Sequence, residues 1–177
     1  MPQPLTERLE PGQPPADEAR APRLARGGQK QISLKLAGLE SIVGLHLGIG
    51  HSLLVNKLEP QLKPLGLTAK QVTILWLAEA NPDLTQIELS RFLEIERATI
   101  HQFTRSLVKN GMIEIVPHPS DRRATTLRPT ALGKAKLAEA RTIIARHETE
   151  TVAVLSTIER RLLLELLMKL HGAARPD

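Results

Sequence analysis

The stretch from Leu84 to Pro129, LTQIELSRFLEIERATIHQFTRSLVKNGMIEIVPHPSDRRATTLRP, constrains the fold of this chain more than any other. It opens on a strongly marked helix start. Thr85 is a capping residue, Glu88 stands three residues on to bond back to it, and Leu84 and Leu89 flank the pair as a hydrophobic staple. Leu89, Phe92 and Leu93 share one face and are expected to pack inward. Leu93-Glu94-Ile95 is too short for anything but a turn, and Glu96 or the residue before it opens a second helix.

In that second helix Ile100, Phe103 and Leu107 recur at i, i+3 and i+7 and make one buried stripe. On the other side Ala98, Gln102, Arg105 and Lys109 fall within a narrow arc at about 100° per residue. Amides pair with adenine edges, Arg pairs with guanine edges or phosphates, and a small residue permits close approach to a base. The helix is expected to stop at Asn110-Gly111, where Gly tolerates a left-handed cap. Ile113–Val116 and Ala124–Leu127 then read as two strands. Their connecting loop, Pro117-His118-Pro119-Ser120-Asp121-Arg122-Arg123, is stiffened by its prolines and has nothing apolar to bury, so it projects into solvent. Arginines on such a projection suit a narrow, electronegative minor groove. Short helix, turn, longer helix and Arg-bearing hairpin are the parts of a winged helix-turn-helix, so the fold expected is mainly α with a small β-wing.

Leu107-Val108-Lys109-Asn110-Gly111-Met112-Ile113, the Asp121-Arg122-Arg123 loop tip, and Leu127 through Thr130 to Gly133 resemble the multiple-antibiotic-resistance (MarR) type of bacterial transcriptional regulators, over about Leu39 to Leu170. The resemblance implies a homodimer with a winged helix-turn-helix in each subunit, binding pseudo-palindromic double-stranded operator DNA. By that pattern the helix bearing Arg97, Ala98, Thr99, His101, Gln102, Arg105 and Lys109 enters the major groove. Arg123, beside Arg122, enters the minor groove, and Asp121 orients it. The family's cleft between dimer helices and DNA-binding lobe often holds small aromatic or phenolic effectors. Two positions depart from the pattern: Pro129 stands where an apolar strand residue is usual, and Glu96 where a Ser or Asp cap is usual.

The remaining sequence divides into 1–30, 31–66, 67–129 and 130–177. Residues 1–30 hold six of the thirteen prolines and little aliphatic periodicity, and read as a disordered tail. Arg20, Arg23, Arg26 and Lys30 make that tail either an arm that touches phosphate or a solvated leader. From about Ser33 to Leu62 a helical pattern places Leu39, Ile42, Leu45, Ile49 and Leu53 on one side. Gly44, Gly48 and Gly50 interrupt it, each costing about 1 kcal/mol against Ala. A close partner helix, room for a ligand beside His46 or His51, and a plain kink are all open readings. Thr68 and Gln71 form a second capping box, before a helix expected to turn Val72, Leu75 and Trp76 inward. Trp76 reads as core or, with His46 and His51, as lining an effector cleft. Thr130 caps a helix running to about Glu148 with Leu137, Ala140 and Ile144 on one face. Ser156 and Glu159 open a last helix in which Ile158, Leu162, Leu166 and Leu170 recur every four residues. So apolar a helix either buries against a second chain, joining the first long helix in a dimerisation region, or folds back on its own subunit.

Composition narrows the function classes. A charge of +5 permits nucleic-acid binding without demanding it. With no cysteine, disulfide scaffolds, thiolate metal sites and thiol redox switches are excluded. The absence of a basic-then-apolar leader, and an apolar stretch Leu39–Val55 broken by Glu40, His46, His51 and Ser52, predict neither secretion nor a membrane span and therefore a cytoplasmic location. No phosphate-binding glycine loop or nucleophile elbow is present, and His46 and His51 are five apart rather than the four of a helical zinc pair, so no enzyme, metal or cofactor is expected. Two function classes stand: a ligand-responsive DNA-binding regulator, expected to repress by occupying an operator, and a winged-helix protein-interaction module. Seven Lys or Arg against five Asp or Glu between Thr85 and Arg128 is only weakly basic, which keeps the second in play.

Overall fold

The computed structural model describes residues 34–121 and 123–172, and from Leu36 on these belong to one compact unit. The 1–30 tail with Arg20, Arg23, Arg26 and Lys30 lies outside the described residues, as does Arg122. Six α-helices and two strands follow in the order α1 (Val43–Leu62), α2 (Ala69–Ala80), α3 (Gln86–Leu93), α4 (Arg97–Lys109), β1 (Ile113–Pro117), β2 (Thr125–Pro129), α5 (Ala131–Thr151) and α6 (Thr157–Leu170). Helix α1 begins about ten residues later than the periodicity suggested. Ala37 and Gly38 have φ of 50° and 97°, and the short 3-10 turn Leu39–Ser41 breaks before an extended Ile42.

Local chemistry sets the other helix starts. Thr68, Thr85 and Ser156 each accept the backbone N–H three residues on, and Gln71, Glu88 and Glu159 return the bond, so all three capping boxes form. The core lies where α2 packs on α4, α5 and β2, and Leu62, Ile74, Leu75, Leu89, Ile100, Leu107, Ile113, Leu127 and Leu137 are fully or almost fully buried there. Each such side chain contributes about 2 kcal/mol relative to an exposed one.

Trp76 does not join this core. The buried arc of α2 is centred on Leu75, Trp76 lies past its edge at 40% exposure, and its ring is capped by the Arg141 guanidinium 4.5 Å from the centroid. Phe92 is likewise exposed, at 65%, because α3 turns Leu89 rather than Phe92 to the core. Of the predicted stripe, Ile42 just before α1 and Ile49 on it lie at the surface, and a Cβ added at Gly44, Gly48 or Gly50 would meet nothing within 4 Å. Helix α6 buries no residue within the chain.

Strands β1 and β2 pair antiparallel with Ile113 opposite Pro129 and Pro117 opposite Thr125. The second strand thus runs two residues beyond the expected Leu127. Pro129 ends it without harm, since the next residue supplies the bond that proline lacks: Thr130 N–H donates to the Met112 carbonyl at 3.0 Å. Thr130 Oγ1 donates to the Gly111 carbonyl at 2.6 Å and accepts the Gly133 N–H at 3.1 Å. Gly133 is buried, and the Met112 carbonyl occupies the place its Cβ would take. Gly133→Ala is therefore expected to destabilise the protein by about 3 kcal/mol in urea denaturation, through forced separation of α5 from β1; wild-type stability would contradict this packing.

Candidate nucleic-acid interface

The helix-turn-helix is built from α3 and α4. Thr85 donates both its backbone N–H and its hydroxyl to Glu88 Oε2 at 2.8 Å. These bonds hold the Glu88 carboxyl below its ordinary value, with His118 and Arg91 adding smaller electrostatic help. At the turn Glu94 takes the left-handed region (φ 51°), while Ile95 N–H donates to the Ser90 carbonyl at 3.1 Å and Ser90 Oγ to the Ile95 carbonyl at 2.6 Å. These bonds fix the angle between the two helices.

Helix α4 buries Ile100, Thr104 and Leu107, and Phe103 is half-buried. Thr104 was not read from the sequence as part of this stripe. Its hydroxyl is satisfied by the Ile100 carbonyl at 2.9 Å, which lets a polar residue sit in the core. The i, i+4 spacing from Ile100 was the available signal. On the opposite side Arg97, Ala98, His101, Gln102, Arg105 and Lys109 are exposed and Thr99 is half-buried. At the head of this face Glu96 makes no side-chain cap bond and is exposed, so its carboxylate is left in solvent. The helix closes at Gly111 (φ 66°), with Met112 N–H returning to the Leu107 carbonyl at 2.9 Å.

Beside α4 stands the hairpin of β1 and β2, stitched to the start of α3 by the Leu127 N–H, which donates to the Leu84 carbonyl at 3.1 Å. Its loop is organised internally. His118 Nδ1 accepts the backbone N–H groups of Ser120 (3.2 Å) and Asp121 (3.1 Å), and Asp121 Oδ1 accepts that of Arg123 at 2.9 Å. Asp121 therefore positions Arg123 through the backbone, leaving the exposed guanidinium side chain free to project. The part played by His118 was missed in the sequence, because a histidine accepting loop amides has no spacing signature.

The three residues suggested for an effector cleft are not assembled. His46 Nε2 lies 2.8 Å from the Glu40 carbonyl, His51 is exposed, and one face of Trp76 lies under Arg141, itself paired with Glu79 at 2.6 Å. Clefts of about 540, 530 and 380 Å³ open on the surface, and none is lined by His46, His51 or Trp76. Among the described residues no three His, Asp or Glu side chains converge as a metal site would require, and no described helix is long and apolar enough to cross a membrane.

Two helices set at a fixed turn, with an exposed polar face on the second and an Arg-tipped hairpin beside it, define a winged helix-turn-helix protein. The MarR family profile matches residues 67–125. The chain is 30% identical to the transcriptional repressor CouR in a structure bound to a 23-mer DNA duplex, with a TM-score of 0.71 over 78% of this chain and 99% of that one. A structure of mutant MarR from E. coli complexed with operator DNA is 25% identical, with a TM-score of 0.68 over 75% of this chain and 96% of that one. The uncharacterized HTH-type transcriptional regulator YdgJ of Bacillus subtilis (strain 168) is 26% identical over 107 residues, 60% of this chain and 65% of its own length, just under two thirds. The chain belongs to the MarR family of transcriptional regulators.

Glu88 supplies a check on the α3 cap. A carboxyl whose folded-state pKa is depressed contributes stability above its unfolded value and loses it as pH falls through the folded value. Glu88→Gln, which keeps the box but not the titration, is expected to lose less stability than wild type as pH falls from about 6 to about 3 in urea denaturation. Parallel losses would contradict the assignment.

Proposed function

We propose that the protein is a homodimeric, sequence-specific DNA-binding regulator that represses by occupying a pseudo-palindromic operator and releases it on binding a small effector. The observation that carries this reading is the exposed polar face of α4, set beside a hairpin whose loop bonds hold Arg123 outward. Ala98, Gln102, Arg105 and Lys109 would face base edges and flanking phosphates of the major groove, with Arg97, Thr99 and His101 at its margin. Arg123, with Arg122 beside it in sequence, would enter the minor groove. The structures of CouR on a DNA duplex and of mutant MarR on operator DNA support the same partner for this chain.

Helix α6 supports dimerisation. Ile158, Leu162, Leu166 and Leu170 are 51–70% exposed in the single chain, and Val43 and Ile49 of α1 are 65% and 50% exposed. Water contact over so much apolar surface is relieved by a second copy. We assign residues 67–129 to DNA binding and the helices on either side of them to the dimer, with the two recognition helices about 34 Å apart to reach successive major grooves. A small aromatic or phenolic effector would enter from the dimer-helix side, where Trp76 presents part of its ring, and would act only through its differential affinity for the two arrangements.

Two substitutions separate the proposed roles in fluorescence-anisotropy titrations on the gene's own upstream DNA. Arg123→Ala is expected to weaken binding to all sequences and to lower the salt dependence by about one counterion, whereas Gln102→Ala should relax preference at one or two base pairs, by about 1–3 kcal/mol each. Equal losses on every sequence for both variants would refute the division. Leu166→Glu should yield monomers in analytical ultracentrifugation; an unchanged dimer would move the interface away from α6.

A further inference from the structure

We propose that the cleft beneath the wing is a binding site for a small hydrophobic cation, an aromatic or alicyclic ammonium, whose presence is communicated to Arg123 through His118. The cleft has a volume of about 540 Å³, within the usual range for a small-molecule site. Leu77 and Leu84 supply apolar wall, and Phe92 stands at its edge, 65% exposed and unused by the core. Its ionisable lining consists of Asp83, Glu88 and His118, with no lysine or arginine.

Charge and shape select the same guest. Asp83 has no ion pair among the described residues. Glu88 keeps one carboxylate oxygen on Thr85 and is held in its ionised form, with Arg91 acting on it from outside the lining. An ammonium between these carboxylates, with its hydrocarbon part on Leu77 and Leu84, would meet the Phe92 ring as a cation meets an aromatic face. An anion of the same shape would face two carboxylates.

The link to the wing is short. His118 lines the cleft and, through Nδ1, holds the Ser120 and Asp121 amides, while Asp121 holds the Arg123 amide. A guest that shifts the imidazole moves acceptors on which the loop depends. This last link rests on the DNA-binding reading above; occupancy of the cleft does not.

Titration of the full chain with phenethylammonium, followed by ¹H–¹⁵N NMR with 3-phenylpropionate as the anionic counterpart, tests the site. Saturable shifts at Leu84, Phe92, His118, Ser120 and Asp121 are expected for the cation alone, with binding weakened about fivefold in Asp83→Asn and in Phe92→Ala. Equal binding of the anion, shifts confined to other surfaces, no saturation, or unchanged affinity in both variants would overturn it. Folding of each variant is read from the dispersion of the same spectra. A parallel DNA titration at constant ionic strength tests the link: wild-type affinity should change when phenethylammonium saturates the cleft. Saturation without any change overturns the coupling, whereas failure to bind DNA in the absence of cation overturns the functional reading and leaves the NMR result to decide the site.

Discussion

The fold turns on a backbone clamp at Met112, Thr130 and Gly133. The Met112 carbonyl accepts the Thr130 N–H and occupies the space a side chain at Gly133 would need, while the Thr130 hydroxyl ties the Gly111 carbonyl to the first turn of α5. The end of α4, both strands of the hairpin and the helix leading to α6 are thereby joined within a few residues. Few degrees of freedom remain between the exposed face of α4 and the long C-terminal helices. Rigidity of that kind is what a protein needs if a change at one end is to be felt at the other, since packed elements shift between discrete arrangements rather than deform smoothly.

What could be read from the sequence follows the range of the interactions involved. The three capping boxes and the Gly111 cap depend on neighbours within a few residues, so the helix starts from Thr68 onward and the stop of α4 were legible. The outer face of α4 was legible too, because Ile100 and Leu107 fix the buried side and everything opposite is exposed by default. Periodicity gave the direction of each buried arc but not its edge. Trp76 and Phe92 both sit at such an edge, and whether a ring there is covered depends on what the rest of the chain brings alongside: Arg141 from α5 in one case, an open cleft in the other.

The hairpin loop was legible as a projection and illegible in its interior. Prolines and charge predict that it leaves the body, yet the acceptor role of His118 emerges only when the turn closes. The beginning of α1 was misplaced for a related reason. Leu39 and Ile42 fit the helical stripe, but the backbone at Ala37 and Gly38 is left-handed and the helix cannot form through it. The cleft beneath the wing had no sequence signature, since its walls come from the end of α2, the connector after it, α3 and the hairpin loop.

The exposed apolar face of α6 and the exposed polar face of α4 would, on the proposed function, meet a second copy and a polyanion respectively. If both are met at once, the contacts on DNA must be related by a two-fold axis. Hydroxyl-radical footprinting of the purified protein on its gene's upstream DNA measures this directly. The account predicts two minor-groove protections placed symmetrically about a centre, outside two major-groove sites one helical turn apart, about 34 Å. A single asymmetric protection, or uniform reactivity at low salt, would contradict it.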